Sequence, residues 1–504
     1  MLVTAGCVRV GEPSELYLQA RVKRNPEPVF VTKSRRNSQT LIKTTPALLL
    51  ILFFFPAISS ARNRVTISIP TFGELKIEAE VSPSRSWSFR NAYANALGIA
   101  ERVNGFQAFG TSGQEVGVKK IVVGEFRSDL DATKISYSVR LSTPASGGLI
   151  HVSWLTDDRG YLMFADLVPL DVESLSARFK LPPGWTVESS LAPDANGEFQ
   201  VLEPVKSAFF VGRDLRKTAA NLDGAIFEIV LSGKWSFKDS DALKAATRVM
   251  QKCLAITQFK LPGKSIIMIA PPPIQAKRNE WWADTRGSTV ALLVDPNGNR
   301  LRGLLTVIFT HELLHLWVPN SLKLEGDYDW FFEGFTLYLA LRVALELDVI
   351  KFSEFLNTLG RAYDSYLAQP DDSSLLEASE KRWTTSGSQV YVKGMLVAFL
   401  YDLLVRKESG GQTVLADRYR DLFSVRVAEH AQGNEAIIKV LGSSPAMTDF
   451  TKSYIENIQK LELERVLPEY GLVMDSTGKA PRLRVNRELN DEQKRLLRSL
   501  GYRN

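Results

Sequence analysis

The segment from Thr310 to Tyr338, THELLHLWVPNSLKLEGDYDWFFEGFTLY, carries two histidines four residues apart around a glutamate: His311-Glu312-Leu313-Leu314-His315. Residues four apart share one face of a helix. Both imidazoles can therefore reach a single metal ion, and Glu312 stands beside them within reach of a metal-bound water. A catalytic zinc site takes three protein ligands and keeps a fourth position for water. Glu333, in Trp330-Phe331-Phe332-Glu333-Gly334, is the best third ligand. The chain holds four histidines in all, His151, His311, His315 and His430, so a histidine-rich composition does not explain the pairing. The surrounding Leu305, Val307, Ile308, Phe309, Leu313, Leu314 and Leu316 make this a core helix. Two imidazoles and a carboxylate are costly there without a partner, and a metal is such a partner.

The chemistry these residues suit is hydrolysis of a peptide bond. One Zn2+ on His311, His315 and Glu333 would bring the pKa of its water from about 15.7 toward about 7. Glu312 would take the proton as general base and pass it to the leaving amine. The oxyanion formed at the carbonyl needs a donor on the side away from the metal, and a tyrosine hydroxyl suits that role at neutral pH. Tyr328, Tyr338, Tyr391 and Tyr401 are all open on the residues alone, although Tyr338 and Tyr401 lie well inside apolar helices.

The elements that must position these groups follow from periodicity. Val65 to about Leu231 is β-rich: VTISI, LKIEAEV, KISYSVRLS, GLIHVSWL, FQVLEPV and AIFEIVLSG alternate β-branched and aromatic residues with others. Pro182-Pro183-Gly184 and Asp194-Ala195-Asn196-Gly197 punctuate them as turns. One helical segment, Phe89 to Val103, interrupts. His151 reads as a structural strand residue. From about Asp239 the period changes. Asp241 to Thr257 fits an amphipathic helix capped near Asp239 or Ser240, and Lys264–Ala270 and Ser288–Val294 read as strands. The metal helix runs from about Gly303 to Trp317, where Pro319 limits it. A polar link leads to a helix from Trp330 to about Leu347, which carries Glu333 on its first turn, where a carboxylate suits the helix dipole. Helices continue at Phe352–Leu367, Ser388–Lys407, Thr413–Phe423, Asn434–Leu441, Pro445–Glu462 and Asp491–Leu500. His430 reads as a solvated loop residue. The fold expected is α+β: an N-terminal antiparallel β domain (62–235), an αβ lobe with the metal helix (236–330), a helical lobe (331–465) and a charged tail (466–504).

The 504 residues are 45% hydrophobic and 23% charged, an ordinary globular composition with material for more than one domain. Two cysteines, Cys7 and Cys253, exclude a disulfide framework and a cysteine-held metal. Residues 1–61 read as a leader. Lys33, Arg35, Arg36 and Lys43 precede an apolar run, Ala47 to Phe55, and small residues follow, with a cut placed after Ala61. The run is far short of the ~20 residues a bilayer span needs, so the expectation is a periplasmic or secreted protein with no stable membrane span after cleavage, and a tethered one if the leader is retained. That leader carries a net +5 of the chain's +6, so the basic balance points to no nucleic-acid partner. The partner expected is a peptide or protein substrate.

Taken in this order, His311-Glu312-x-x-His315, Trp330-Phe331-Phe332-Glu333-Gly334-Phe335-Thr336-x-Tyr338 and Tyr391-x-Lys393-Gly394 resemble the motifs of gluzincin aminopeptidases. The chain looks most like the glycyl aminopeptidase family, and more distantly the alanyl aminopeptidase family, over roughly Gly224 to Leu472. The resemblance implies a thermolysin-like catalytic domain, zinc on His311, His315 and Glu333, Glu312 as base, and Tyr391 as the group that stabilises the tetrahedral intermediate. In the relatives a Gly-Gly-Leu-Glu-His-Arg-Asn-Ser-Thr-like strand lines the cleft, and its acidic residue can hold the substrate's α-amine. The matching run here is Trp281-Trp282-Ala283-Asp284-Thr285-Arg286-Gly287-Ser288-Thr289. Asp284 is thus the candidate substrate-binding residue, with a shorter reach, and an Asp284–Arg286 pair is the competing reading. The family's basic run after the metal helix is replaced by Val318-Pro319-Asn320-Ser321, and the residues after Leu472 are too few for the PDZ domain many relatives carry. The reading favoured is an exported zinc aminopeptidase acting on small amino-terminal residues. Loss of the two glycines leaves a zinc endopeptidase open. A non-catalytic binding or scaffold protein whose cleft the two tryptophans close is the third reading.

Overall fold

Alternation of apolar and other residues builds three stacked sheets, and the parity of each strand decides which layers it joins. The computed structural model describes residues 63–503 except 95, 144–147, 299–300, 371–372, 425–429 and 476–481. The expected leader, residues 1–61, lies outside the described residues. The outermost sheet has eight strands, with Glu74–Ser88 and Glu125–Arg140 as its long central pair. It is antiparallel except where Arg64–Thr71 runs parallel to Leu175–Lys180. A four-stranded sheet packs beneath it, in the order Trp185–Glu188, Ala208–Arg213, Arg159–Met163, Trp154–Leu155. Leu162, Phe209 and Val211 face the upper core, whereas Tyr161, Met163, Ala208 and Phe210 face the lower one.

The third sheet carries the site. Its order is Arg216–Leu222, Ala225–Leu231, Lys264–Ala270, Thr289–Val294, Trp281–Arg286. The middle three strands are parallel and the edge strand Trp281–Arg286 is antiparallel to its neighbour. Parallel neighbours need a crossover, and helix α1 (Asp239–Thr257) supplies it between Ala225–Leu231 and Lys264–Ala270. Val230, Ile266, Met268, Ala291 and Leu293 face the four-stranded sheet. Ile229, Leu231, Ile267, Ile269 and Leu292 face the helices. The hairpin Arg216–Leu231, read from the sequence as the end of the β-rich region, pairs into this third sheet beside Lys264–Ala270. Alternation marks a strand but not the sheet it pairs with.

Two expectations fail in the β-rich region. Phe89–Val103 is not a helix. It holds the short strands Ala92–Tyr93 and Ala96–Leu97 and the 3-10 turn Ile99–Arg102. Gly98 adopts φ +72°, a left-handed conformation that a continuing helix cannot contain, and the Phe89 N–H pairs with Gly124 O instead. The run GLIHVSWL is a strand only at Trp154–Leu155. Its Ser153 gives its backbone N–H and hydroxyl to the Asp166 carboxylate (2.6 and 2.8 Å), which replaces a ladder partner and leaves His151 in a turn.

Beyond the sheet the chain is helical: α2 (Leu301–Leu314), α3 (Thr336–Glu346), α4 (Phe352–Leu367), α5 (Leu375–Glu380) and α6 (Gly387–Glu408), then shorter helices at Leu415–Ser424, Gly433–Leu441 and Pro445–Thr451. Helix α6 is long and apolar enough to cross a membrane, but most of it is buried in the helical core. The charged tail is not a loose end. Its helix Asp491–Ser499 buries Leu496, Leu497 and Leu500, and Arg406 donates to Ser499 O at 2.6 Å.

Candidate metal and catalytic site

Helix α2 is shorter than expected, and the chain winds through turns from His315 to Leu322. His315 N–H bonds Glu312 O (3.2 Å), so the second histidine still completes the helical turn. Both imidazoles are buried, with Nε2 atoms 3.2 Å apart. His315 Nδ1 lies 3.0 Å from Val318 O, which fixes the ring and turns Nε2 toward His311.

Glu333 arrives on the next element, where the expected single helix from Trp330 to Leu347 begins instead as a π-helical turn, Trp330–Phe335, before α3. Such turns re-aim side chains and recur at functional sites. The start is anchored by Trp330 N–H to Ser379 Oγ (2.9 Å) and Trp330 Nε1 to Asn434 Oδ1 (2.8 Å). Glu333 Oε2 then stands 3.3 Å from His311 Nε2 and 3.5 Å from His315 Nε2. With the 3.2 Å between the imidazoles, the three donor atoms make a near-equilateral triangle. Donors about 2.0–2.1 Å from one tetrahedral ion lie about 3.3–3.4 Å apart, so the triangle fits Zn2+. Glu333 Oε2 also has no hydrogen-bond partner among the described residues, although it is fully buried. An ion in the triangle would satisfy it. Burial alone would raise Glu333, but Arg382 and then His315 outweigh it and hold the carboxyl well below its ordinary range. Burial lowers His315, whereas the Glu333 carboxylate more than offsets this and lifts the imidazole to about 9.

Glu312 is buried beside the triangle, and the residue that holds it is not among the sequence candidates. The Thr285 hydroxyl donates to Glu312 Oε2 at 2.8 Å, with the Glu312 carbonyl oxygen 2.9 Å away. Alternation along the edge strand sends Thr285 toward α2 and Asp284 and Arg286 to the other face; that parity was readable in the run Trp281–Arg286. Burial raises Glu312 above the ordinary carboxyl range, opposed by His311, His315 and the Thr285 hydrogen bond. A raised carboxyl suits a group that must take up a proton near neutral pH.

Of the four tyrosines, Tyr338 bonds Asp402 Oδ2 (2.6 Å) and Tyr401 bonds Leu441 O (2.7 Å), both in the core. Tyr328 packs against Phe332 and Gly433. Tyr391, on α6, faces the triangle, and its hydroxyl shares a guanidinium with Glu333: Arg382 Nη2 donates to Tyr391 OH at 2.6 Å and to Glu333 Oε1 at 2.7 Å. Burial pushes the Tyr391 phenol up, so it stays protonated and able to donate.

Two glycines let α6 and the π turn touch. A Cβ on Gly334 would lie 2.6 Å from both Gly394 Cα and Val390 O, so the backbones cross with no room for a side chain. Glu333 and Tyr391 flank that crossing. Lys393 is a fastener in the same helix: it is fully buried and its Nζ donates to Ser373 O at 3.1 Å.

Asp284 is brought near the site but is engaged. Its Oδ2 accepts from Arg286 Nη2 at 2.9 Å, in a largely buried pair. Arg286 also lies over the Tyr93 ring (4.7 Å), with Arg90 at 4.5 Å from the same ring. His151 stands 5.9 Å from Tyr93 and 6.3 Å from Trp383, centroid to centroid. Trp282 is buried in the core between sheets and Trp281 packs against the helical core. His430 is exposed, with Nδ1 2.9 Å from Glu325 Oε1, and is remote from this constellation.

A scan against protein-family models finds no match, and a search of curated proteins finds none. Among solved structures, the chain is similar to an aminopeptidase N family protein from Idiomarina loihiensis, with a TM-score of 0.71 and 18% identity over 82% of this chain and 79% of that one. It is also similar to the M1 zinc metallopeptidase from Deinococcus radiodurans, with a TM-score of 0.52 and 12% identity over 80% of this chain and 94% of that one. A point mutant of the latter, bound to a Tyr-Ser-Ala substrate, gives a TM-score of 0.53 at 13% identity. At such identities the likeness is one of fold: a β-rich amino-terminal region followed by a mainly helical one, as expected from the sequence.

Proposed function

We propose that the chain is an exported zinc-dependent peptidase, an aminopeptidase that releases small amino-terminal residues. The observation that carries the reading is the triangle of His311 Nε2, His315 Nε2 and Glu333 Oε2, at 3.2–3.5 Å, with Glu312 and Tyr391 at its sides. His311, His315 and Glu333 would hold one Zn2+, and the ion when bound supplies a Lewis acid that acidifies water and polarises a carbonyl. Export rests on the apolar run Ala47–Phe55.

The residues divide the remaining work. Glu312, kept in place by Thr285, takes a proton from the attacking water and returns it to the amine as the peptide C–N bond breaks. The Tyr391 hydroxyl donates to the substrate carbonyl oxygen as that oxygen gains negative charge. The edge strand Trp281–Arg286 pairs on one side with Thr289–Val294. Its other side offers backbone donors and acceptors on which an extended peptide can lie beside α2. Asp284 would bind the ammonium of a free amino terminus only by giving up its bond to Arg286.

That bond favours a second reading, an endopeptidase, because a carboxylate already neutralised by a buried guanidinium anchors an ammonium weakly. Hydrolysis of Gly- and Ala-initiated peptides, free and acetylated, separates the two. Cleavage confined to free amino termini, weakened by Asp284→Asn, supports the aminopeptidase. Cleavage of acetylated peptides at equal rates moves the assignment to the endopeptidase.

A further inference from the structure

A buried guanidinium lies where the candidate metal ligands meet the candidate oxyanion donor. Arg382 precedes α6 on a second π-helical turn, Arg382–Ser386, and its side chain is 10% exposed. Nη2 donates to Glu333 Oε1 (2.7 Å) and to Tyr391 OH (2.6 Å), and Nη1 donates to Asp329 Oδ1. Its guanidinium carbon is 4.3 Å from the Trp383 ring centre, 5.4 Å from that of Tyr391 and 5.6 Å from that of Phe332. No sequence motif of the site includes it.

Resting on the zinc-peptidase reading, we propose that Arg382 is the positioning residue of this centre: one guanidinium nitrogen fixes the carboxylate of Glu333 and the hydroxyl of Tyr391 relative to each other. Glu333 divides its two oxygens, with Oε2 toward the histidines and Oε1 on Arg382. A carboxylate whose outer oxygen is held cannot swing away from the ion its inner oxygen faces, which is how outer partners orient metal ligands. The second consequence concerns the tyrosine proton. Arginine has donors and no acceptor, so the Tyr391 oxygen must accept from it and the hydroxyl hydrogen stays available for a substrate carbonyl. Without the guanidinium, the Glu333 carboxylate held on the same nitrogen becomes the strongest neighbouring acceptor, and the hydroxyl would turn to it. Three acceptors on two nitrogens also require a planar fork, which lysine lacks. A plain structural ion pair would need Asp329 alone.

The test uses the full chain as wild type, Arg382→Ala and Arg382→Lys. Zinc affinity is measured by competition with a chromogenic chelator, and kcat and KM on a peptide the wild type cleaves, each with and without millimolar guanidinium chloride. Arg382→Ala is expected to weaken zinc about 10–100-fold. It should lower kcat about 10²–10³-fold with little change in KM, and guanidinium should restore part of both. Arg382→Lys, which keeps the buried charge and carries the test if the alanine variant does not fold, is expected to retain zinc within about tenfold yet lose most of kcat. A folded Arg382→Ala that binds zinc and turns over like wild type overturns the proposal and leaves the peptidase reading standing. So does full recovery of kcat in Arg382→Lys, which would show that charge alone matters. A wild type that binds no zinc overturns the peptidase reading and this proposal with it. A wild type that binds zinc without cleaving peptides leaves the affinity arm to decide.

Discussion

Replacing Gly334 by alanine should damage catalysis more than it damages the fold. The added Cβ would stand 2.6 Å from Gly394 Cα and 2.6 Å from Val390 O, whereas non-bonded carbons rest at about 3.5–4.0 Å. Both obstacles are backbone of α6, so no side chain can step aside, and the π turn and α6 must part by about 1 Å. Overpacking of this kind costs about 1–3 kcal/mol, and alanine's better helix propensity offsets at most about 1 kcal/mol. With that offset the net loss of about 0–2 kcal/mol leaves the protein folded. The same parting moves Glu333 away from Tyr391, because they flank the crossing. A displacement of about 1 Å at a reacting centre costs about 10² in rate. Thermal unfolding and steady-state kinetics of Gly334→Ala, with Gly394→Ala as the milder partner, check this. At Gly394 the new Cβ would meet Gly334 Cα and Trp330 O at 3.0 Å, so its kcat should fall less. A Gly334→Ala protein with wild-type kcat and melting temperature would refute the claim that this crossing sets the site.

Tyr391→Phe should lower kcat by about 10²–10³ with KM and zinc content unchanged, and a loss below about threefold would put the oxyanion donor elsewhere. Thr285→Val removes the donor that pulls Glu312 downward against burial. Because the base must be deprotonated, the acidic limb of kcat/KM should move to higher pH, and an unmoved limb would show that Thr285 does not act on Glu312. His315 of the metal-free protein sits at about 9, raised by Glu333 against the lowering effect of burial. It is therefore protonated near neutral pH. Zinc uptake there should release about one proton per ion, and progressively less as pH rises through 9. Calorimetry in buffers of different ionisation heat reads the number, and a heat independent of buffer would contradict it.

The candidate metal ligands were legible because helical spacing is local. His311 and His315 needed one turn of helix, and Glu333 needed a return of the chain that the polar link to Asp329 made plausible. The glycines of Glu333-Gly334 and Lys393-Gly394 were visible as motif letters, but their purpose is a contact between helices far apart in sequence. Arg382 was not legible, and for Thr285 the strand parity was legible but its partner Glu312 was not. Each acts through a partner on another element, and an isolated arginine or threonine carries no periodic signal. The strand alternation of Ala225–Leu231 is plain in the sequence, although its pairing with Lys264–Ala270 depends on the intervening crossover α1. The helix expected at Phe89–Val103 failed at Gly98, whose left-handed backbone overrides the local propensity of its neighbours.

Glu312→Gln, compared with wild type for bound zinc and for peptide hydrolysis, tests the central claim most directly, since the substitution spares the triangle and removes only the proton acceptor. One zinc per chain in both proteins, with hydrolysis lowered by about 10²–10⁴ in the variant, is the predicted result. Hydrolysis undiminished in Glu312→Gln, or a wild type that binds no zinc, would contradict the account.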